Sequence, residues 1–231
     1  MLTFKHRVDI PELMDNPELD CTELRNAYRD LERVNTFLGG HNSSLKALKK
    51  MMTPSITTII DMGCGDGSFL RVVADYCRKN QRRIHLIGWD NNPKSLALAR
   101  EHEKDYPEIA YELQDVLKPG KLPDNCLITC NLFLHHFNTE AVGSILKTWM
   151  EAGAMGIVIN DLHRHGAAYY LFTLFGPIFI KTSTARYDGA VSVRRGWRRE
   201  ELLKIAKSLP LNQSSLHWKW AFRWVMTLEA Q

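Results

Sequence analysis

The segment Ile56-Thr57-Thr58-Ile59-Ile60-Asp61-Met62-Gly63-Cys64-Gly65-Asp66-Gly67-Ser68 constrains this chain more than any other. It reads as a buried strand, a turn with glycine at alternate positions, and the start of a helix at about Ser68. Glycines so spaced permit positive φ and let a ligand approach the main chain. Such a turn lies at the carboxyl end of a strand, where open α/β sheets hold their ligands.

The spacing also selects among ligands. A dinucleotide fingerprint is G-x-G-x-x-G, with a pyrophosphate against the helix N-terminus. Here the order is D-x-G-x-G-x-G. With Gly65 and Gly67 as the first two fingerprint glycines, Leu70 stands where the third belongs. No G-x-x-x-x-G-K-[ST] phosphate loop occurs in the chain. An acid at the strand end, Asp61, repels a pyrophosphate but suits a ligand carrying an ammonium group. Two further acids follow predicted strands. Asp90 ends Ile84–Asp90, where a ribose-binding acid is expected, and Asp115 follows Ile109–Leu113, where it could accept from an adenine amino group.

Strands and helices alternate around this segment. Strands are predicted at 56–61, 84–90, 109–113, 127–131 and 154–160, with helices at 68–79, 93–106 and 139–150. That alternation implies parallel βαβ units. Two strand-like stretches, 216–220 and 222–228, follow a helix at 198–209 and form an edge hairpin. The expected fold is α/β, a doubly wound, mostly parallel seven-stranded sheet, in a single domain of four parts. Residues 1–55 are a helical cap over one mouth of the sheet, with Asp20 capping the first helix and Gly39-Gly40 ending it. Residues 56–161 form the nucleoside-binding core. Residues 162–197 carry an acceptor-site helix and an Arg-rich lid loop, and 198–231 the last helix and hairpin.

The run 56–161 resembles the class I S-adenosylmethionine (SAM)-dependent methyltransferases, whose first motif the loop DMGCGDG matches. The resemblance implies SAM as cofactor and S-adenosylhomocysteine as product. It puts Gly63, Gly65 and Gly67 against the methionine part of SAM, and has Asp61 indirectly supporting the amino group. It implies Asp90, with Asn91 beside it, on the ribose, and Asp115 and the Val116 amide at the adenine. Asn131 and Leu132 would face the sulfonium. The segments ELMDNPELD…LERVNTFLGG, NDLHRHGAAYYLF and RYDGAVSVRRGWRREEL resemble a bacterial group linked to phenolic-lipid and polyketide tailoring, distantly similar to quinone methylases.

A phenol or hydroxyl acceptor gains from a base, and histidine is suited near neutral pH. His135, His136, His163 and His165 all follow predicted strands. His136 and His163 are the candidate bases, with His135 and His165 as substrate contacts. Tyr169, Tyr170, Phe172 and Phe175 form an aromatic stripe that could wall an apolar pocket. Arg186, Arg194 and Arg195 flank the proposed lid and could meet a phenolate or carboxylate. No metal site is expected.

Charge bears on partners. Residues 164–231 hold 11 Lys/Arg against 4 Asp/Glu, +7, while the preceding residues hold 19 against 22, −3. A basic third of this kind can attract an anionic substrate, a nucleic acid or a membrane surface. The chain shows no apolar run of roughly 18–20 residues for a bilayer span and no signal peptide. Its five cysteines, Cys21, Cys64, Cys77, Cys126 and Cys130, lack C-x-x-C spacing, which fits reduced thiols and a cytoplasmic location. The leading reading is methyl transfer to a small organic acceptor, on oxygen or carbon, by a protein that could form a homodimer. A methylase of RNA or protein and a catalytically inactive SAM-binding partner are the alternatives, although a stable nucleic-acid complex is not expected.

Overall fold

In the computed structural model, which describes residues 3–231, seven strands form one sheet of order β3-β2-β1-β4-β5-β7-β6. The strands are β1 (Thr58–Met62), β2 (His85–Asp90), β3 (Ile109–Leu113), β4 (Cys126–Asn131), β5 (Ala154–Leu162), β6 (Leu211–Lys219) and β7 (Arg223–Ala230). Strands β1 to β5 are parallel, and β7 runs antiparallel to β5 as the inner arm of the terminal hairpin. Every residue of β1 is buried, as a central strand covered on both faces requires.

The helices are α1 (Cys21–Phe37), α2 (Gly40–Met51), α3 (Ser68–Lys79), α4 (Pro93–Arg100), α5 (Thr139–Glu151), α6 (Gly166–Phe179), α7 (Ser183–Arg195) and α8 (Arg199–Lys207). Local chemistry fixes their starts. Asp20, Asn92, Asn138 and Thr182 each accept backbone N–H groups as N-caps, and Pro93 opens α4 where a missing N–H costs nothing. Helices α2 and α3 pack Leu48, Met51, Phe69 and Leu70 on one sheet face. The other face holds α5 and α8 around Trp149, whose indole donates to the Val116 carbonyl at 2.7 Å.

Three segments differ from the sequence reading, the first being β6, which starts at Leu211 and not at 216. The helix predicted at 93–106 ends at Arg100, and turns follow it. The Arg-rich stretch expected as a lid loop is the helix α7. Thr182 caps α7, and the Asp188 carboxylate accepts the Leu13 and Met14 amides at 2.7 and 2.9 Å. The buried Asp30 of α1 ties this region down further by accepting the Lys181 and Thr182 amides and the Thr182 hydroxyl. No described helix is long and apolar enough to cross a membrane.

Candidate active site

The carboxyl ends of β1, β2, β4 and β5 bring Asp61, Asp90, Asn131 and Asp161 to one edge of the sheet. Asp61 is buried, accepting from the Thr129 hydroxyl at 2.6 Å and the Asn131 amide at 3.2 Å, with no cationic partner among the described residues. Burial raises its pKa to about 7 despite those two donors. Asn131 also accepts from the Ser44 hydroxyl of α2 at 2.5 Å, which in turn accepts from Asn160 at 2.7 Å. The helical cap is thus bonded to the strand ends.

Gly63, Gly65 and Gly67 all have positive φ. The Asp90 carboxylate accepts the Gly65 amide and the Asn92 amide, both at 2.8 Å, which holds the glycine turn against the end of β2. Side chains from three other elements crowd the turn. A Cβ at Gly63 would overlap the Phe133 ring, one at Gly65 would press on Tyr28 of α1, and one at Gly67 would overlap Tyr111 of β3. Asn91 is exposed beside this turn. Asp115 is exposed, accepting the Leu117 amide at 2.9 Å, and Val116 is buried in the core under Trp149.

The residues present fit SAM in their chemistry. A buried carboxylate without a cation suits an ammonium group, a carboxylate at the end of β2 suits ribose hydroxyls, and the glycines leave no Cβ in the turn. The Phe133 ring on Gly63, with Tyr28 on Gly65 and Tyr111 on Gly67, is packed where the methionine part of such a ligand is expected.

Beyond Leu132 a cavity of about 880 Å³ opens between α1, α6, α7 and the turn joining β6 to β7. That size suits a drug-sized or larger molecule. Its walls are mostly apolar: Leu31, Val34, Leu171, Phe172, Phe175 and Ile180 among others. Leu132, at its edge, has φ 50°, a conformation β-carbon residues adopt at a cost. The polar groups Glu12 and His135 meet at one end. His135 Nδ1 lies 2.7 Å from Asp161 Oδ1, and its Nε2 lies 3.3 Å from Glu12 Oε1, outside good hydrogen-bond geometry. Glu12 also accepts from the Ser192 hydroxyl at 2.8 Å. Burial alone would lower the His135 pKa, but Asp161 and Glu12 overcome it and raise the value to about 9. Burial pushes Glu12 up, yet His135 and Ser192 bring it down to about 2. An imidazolium between two carboxylates results, with one N–H directed at Asp161 and one at the cavity wall.

The other sequence candidates divide between the margin of this cluster and more distant places; His136 Nε2 lies 3.8 Å from Glu12 Oε2. His136 is half-buried, bonded to Asp15 at 3.0 Å, and does not line the cavity. His163 and His165 line a smaller pocket with Arg198 and Arg199, where Trp218 donates to His163 Nδ1. Burial and the neighbouring His165 and Arg164 lower the His163 pKa to about 4. Tyr169 packs on Phe4, Arg186 donates to the Lys181 and Thr182 carbonyls just before its helix, and Arg194 is half-buried outside the cavity lining. Arg195 donates to the carbonyls of Ile10, His135 and His136 and lies 3.9 Å from Glu12 Oε1. Of the stripe, Phe172 and Phe175 wall the cavity and Tyr169 and Tyr170 do not. Sequence reasoning missed Glu12 and Asp161. Asp161 carried a signal, an acid ending the fifth strand beside Asn131; Glu12 carried none.

Residues 59–154 match a family described as a methyltransferase domain. A small RNA 2'-O-methyltransferase of Arabidopsis thaliana is 29% identical over 147 residues, covering 62% of this chain and 13% of that protein. The chain therefore spans about one-eighth of that relative. Human N-acetylserotonin methyltransferase, solved with SAM, superposes with a TM-score of 0.65 at 15% identity, over 91% of this chain and 56% of that one. Magnesium protoporphyrin IX methyltransferase from Synechocystis PCC 6803, also solved with SAM, gives 0.59 at 13% identity, over 94% and 100%. Residues 59–154 thus match a methyltransferase domain, within a seven-stranded fold that these solved structures share.

Proposed function

We propose that this protein transfers the methyl group of SAM to the oxygen, or an acidic carbon, of an apolar small-molecule acceptor held in the 880 Å³ cavity. The observation that carries the reading is the His135 Nε2 atom, buried without a good hydrogen-bond partner at one polar end of a mostly apolar chamber that Leu132 also lines. Asp61, Asp90 and the glycine turn would hold the cofactor, with Asp115 and Asn91 at its adenosine end and Asn131 beside Leu132 toward its reactive end. When bound, SAM supplies an electrophilic methyl group on a positively charged sulfur.

The rest of the chemistry belongs to the chain. Methyl transfer is an in-line displacement, so alignment of acceptor against cofactor is the main requirement. The apolar walls hold and desolvate the acceptor. An acceptor hydroxyl reaching the polar end would accept from His135 Nε2 and donate to Glu12. The imidazolium stabilises the oxyanion as it forms, and the proton leaves through Glu12, whose lowered pKa of about 2 makes it a relay to water and not a resting base. Asp161 orients the ring through Nδ1 and keeps it charged. His136 and His163, the bases favoured by sequence, have no such access to the cavity.

Radiolabelled methyl transfer to a panel of alkylphenols, quinols and short RNAs tests this reading. Labelled phenol or quinol, lost in His135→Gln and Glu12→Gln, is expected. The relative that acts on small RNA supplies the second reading. Label in RNA alone would overturn the small-molecule assignment in its favour, and no label in either class would remove the catalytic one.

A further inference from the structure

Helix α6, Gly166–Phe179, carries no charged residue, and its only polar side chains are Tyr169, Tyr170 and Thr173. A helix apolar on all sides belongs in a core or a membrane, whereas one on a protein surface has a polar face. Here three rows of side chains have three different fates. Ala168, Phe172 and Gly176 face inward onto the cavity, with the Phe172 ring against Gly189 of α7. Leu171, Phe175 and Phe179 line the cavity and are also 43–47% exposed, so they form its rim. Tyr170, Leu174 and Ile178 face away from the protein at 52%, 68% and 70% exposure. The rim continues through Phe37, 74% exposed and stacked on Phe179, and through Trp220 at the β6–β7 turn, 62% exposed. The mouth of the acceptor cavity is thus one end of a continuous exposed apolar surface.

The charge around this surface has one sign. Lys181, Arg186 and Lys219 are exposed beside it, and the exposed Arg33 is paired with the buried Asp30 at 3.2 Å. No acid occurs in 166–187 or 211–223, the adjoining Asp188 is buried on the Leu13 and Met14 amides, and Glu32 of α1 is paired with Arg71. Aromatic residues at a rim with Lys/Arg flanks are the composition of an interfacial membrane anchor. At 14 residues α6 can lie in the headgroup layer but is too short to cross. A second copy packed face to face would bring this ring of cations against itself.

We propose that this face docks on the surface of an anionic phospholipid bilayer, with α6 lying in the interface, and that the acceptor is a lipophilic molecule drawn from the bilayer through the Phe37–Phe179–Trp220 mouth. The acceptor half of this statement rests on the methyltransferase reading; the docking half does not. Leu174→Glu and Ile178→Glu alter the outward row, away from the cavity lining and the sheet edge, and so leave cofactor binding intact.

Vesicle co-sedimentation tests the proposal, using the whole chain with vesicles of phosphatidylcholine alone or mixed equally with phosphatidylglycerol. Expected is binding to the mixed vesicles that weakens with salt and falls roughly tenfold or more in Leu174→Glu/Ile178→Glu, while calorimetric affinity for S-adenosylhomocysteine is unchanged. Three results would overturn docking: no sedimentation of the folded wild type, sedimentation equal for the double variant, or a wild-type dimer that the double variant turns to monomer without vesicle binding. Vesicle binding without any affinity for S-adenosylhomocysteine would leave docking in place and remove the methyltransferase reading instead.

Discussion

The Glu12–His135–Asp161 cluster makes a prediction about stability that needs no acceptor. With Asp161 at 2.7 Å and Glu12 at 3.3 Å from its two ring nitrogens, a charged His135 is attracted by each carboxylate with about 5 kcal/mol at an effective dielectric of 20. Burial opposes this, and the balance leaves the folded pKa at about 9 against an ordinary 6.5. The shift corresponds to about 3 kcal/mol of folding free energy. Its sign follows from the direction. A histidine whose pKa is raised by folding stabilises fully below pH 6.5, and that contribution is lost as pH rises through about 9. Urea unfolding of wild type and His135→Gln, measured at pH 6 and again above pH 9, isolates the effect. The stability gap between the two proteins should shrink by about 3 kcal/mol on the alkaline side. Imidazole titration followed by NMR reads the same pKa directly. A gap that does not change with pH, or a His135 titrating near 6.5, would refute the imidazolium reading.

Asp90→Ala removes a carboxylate that holds the glycine turn and is offered to the ribose, and should weaken S-adenosylhomocysteine binding by about 1–3 kcal/mol in calorimetry; unchanged affinity would reject its role. Asp30→Ala leaves the Lys181 and Thr182 amides without an acceptor. We expect a loss of about 2–3 kcal/mol and faster limited proteolysis near the α6–α7 junction. Trp149→Ala empties the core under α5 and breaks the bond to Val116; it should cost about 3–5 kcal/mol in chemical denaturation, the largest single core effect among these.

Much of the fold could be read from the sequence because its signals are local. Helix α3 lies at 68–79 as predicted, since a glycine turn precedes it. β3 matches its predicted bounds, and the edge hairpin pairs as expected, although β6 starts at Leu211, five residues earlier than the alternation suggested. What was not legible depends on contacts remote in sequence. Helix α7 looked like a loop because Asp188 and Gly189 are poor helix formers; amides of Leu13 and Met14, some 175 residues away, make Asp188 acceptable there. Gly189 is required because the Phe172 ring lies against it. The histidines carried the same difficulty. Four of them follow strand ends, and nothing local says that His135 turns inward while His136 meets Asp15 and His163 meets Trp218. Glu12 is placed by the N-terminal segment, which Arg7 fastens to the carbonyls of His135, Phe137 and Arg195.

A crystal structure of the S-adenosylhomocysteine complex tests the central claim most directly. The account predicts ribose hydroxyls on Asp90, the amino group on the Asp61 side of the glycine turn, the Phe133 ring displaced from Gly63, and the sulfur facing the chamber that Leu132 and His135 line. A ligand bound away from the 61–67 turn, or a sulfur separated from the chamber by an intact wall, would contradict it.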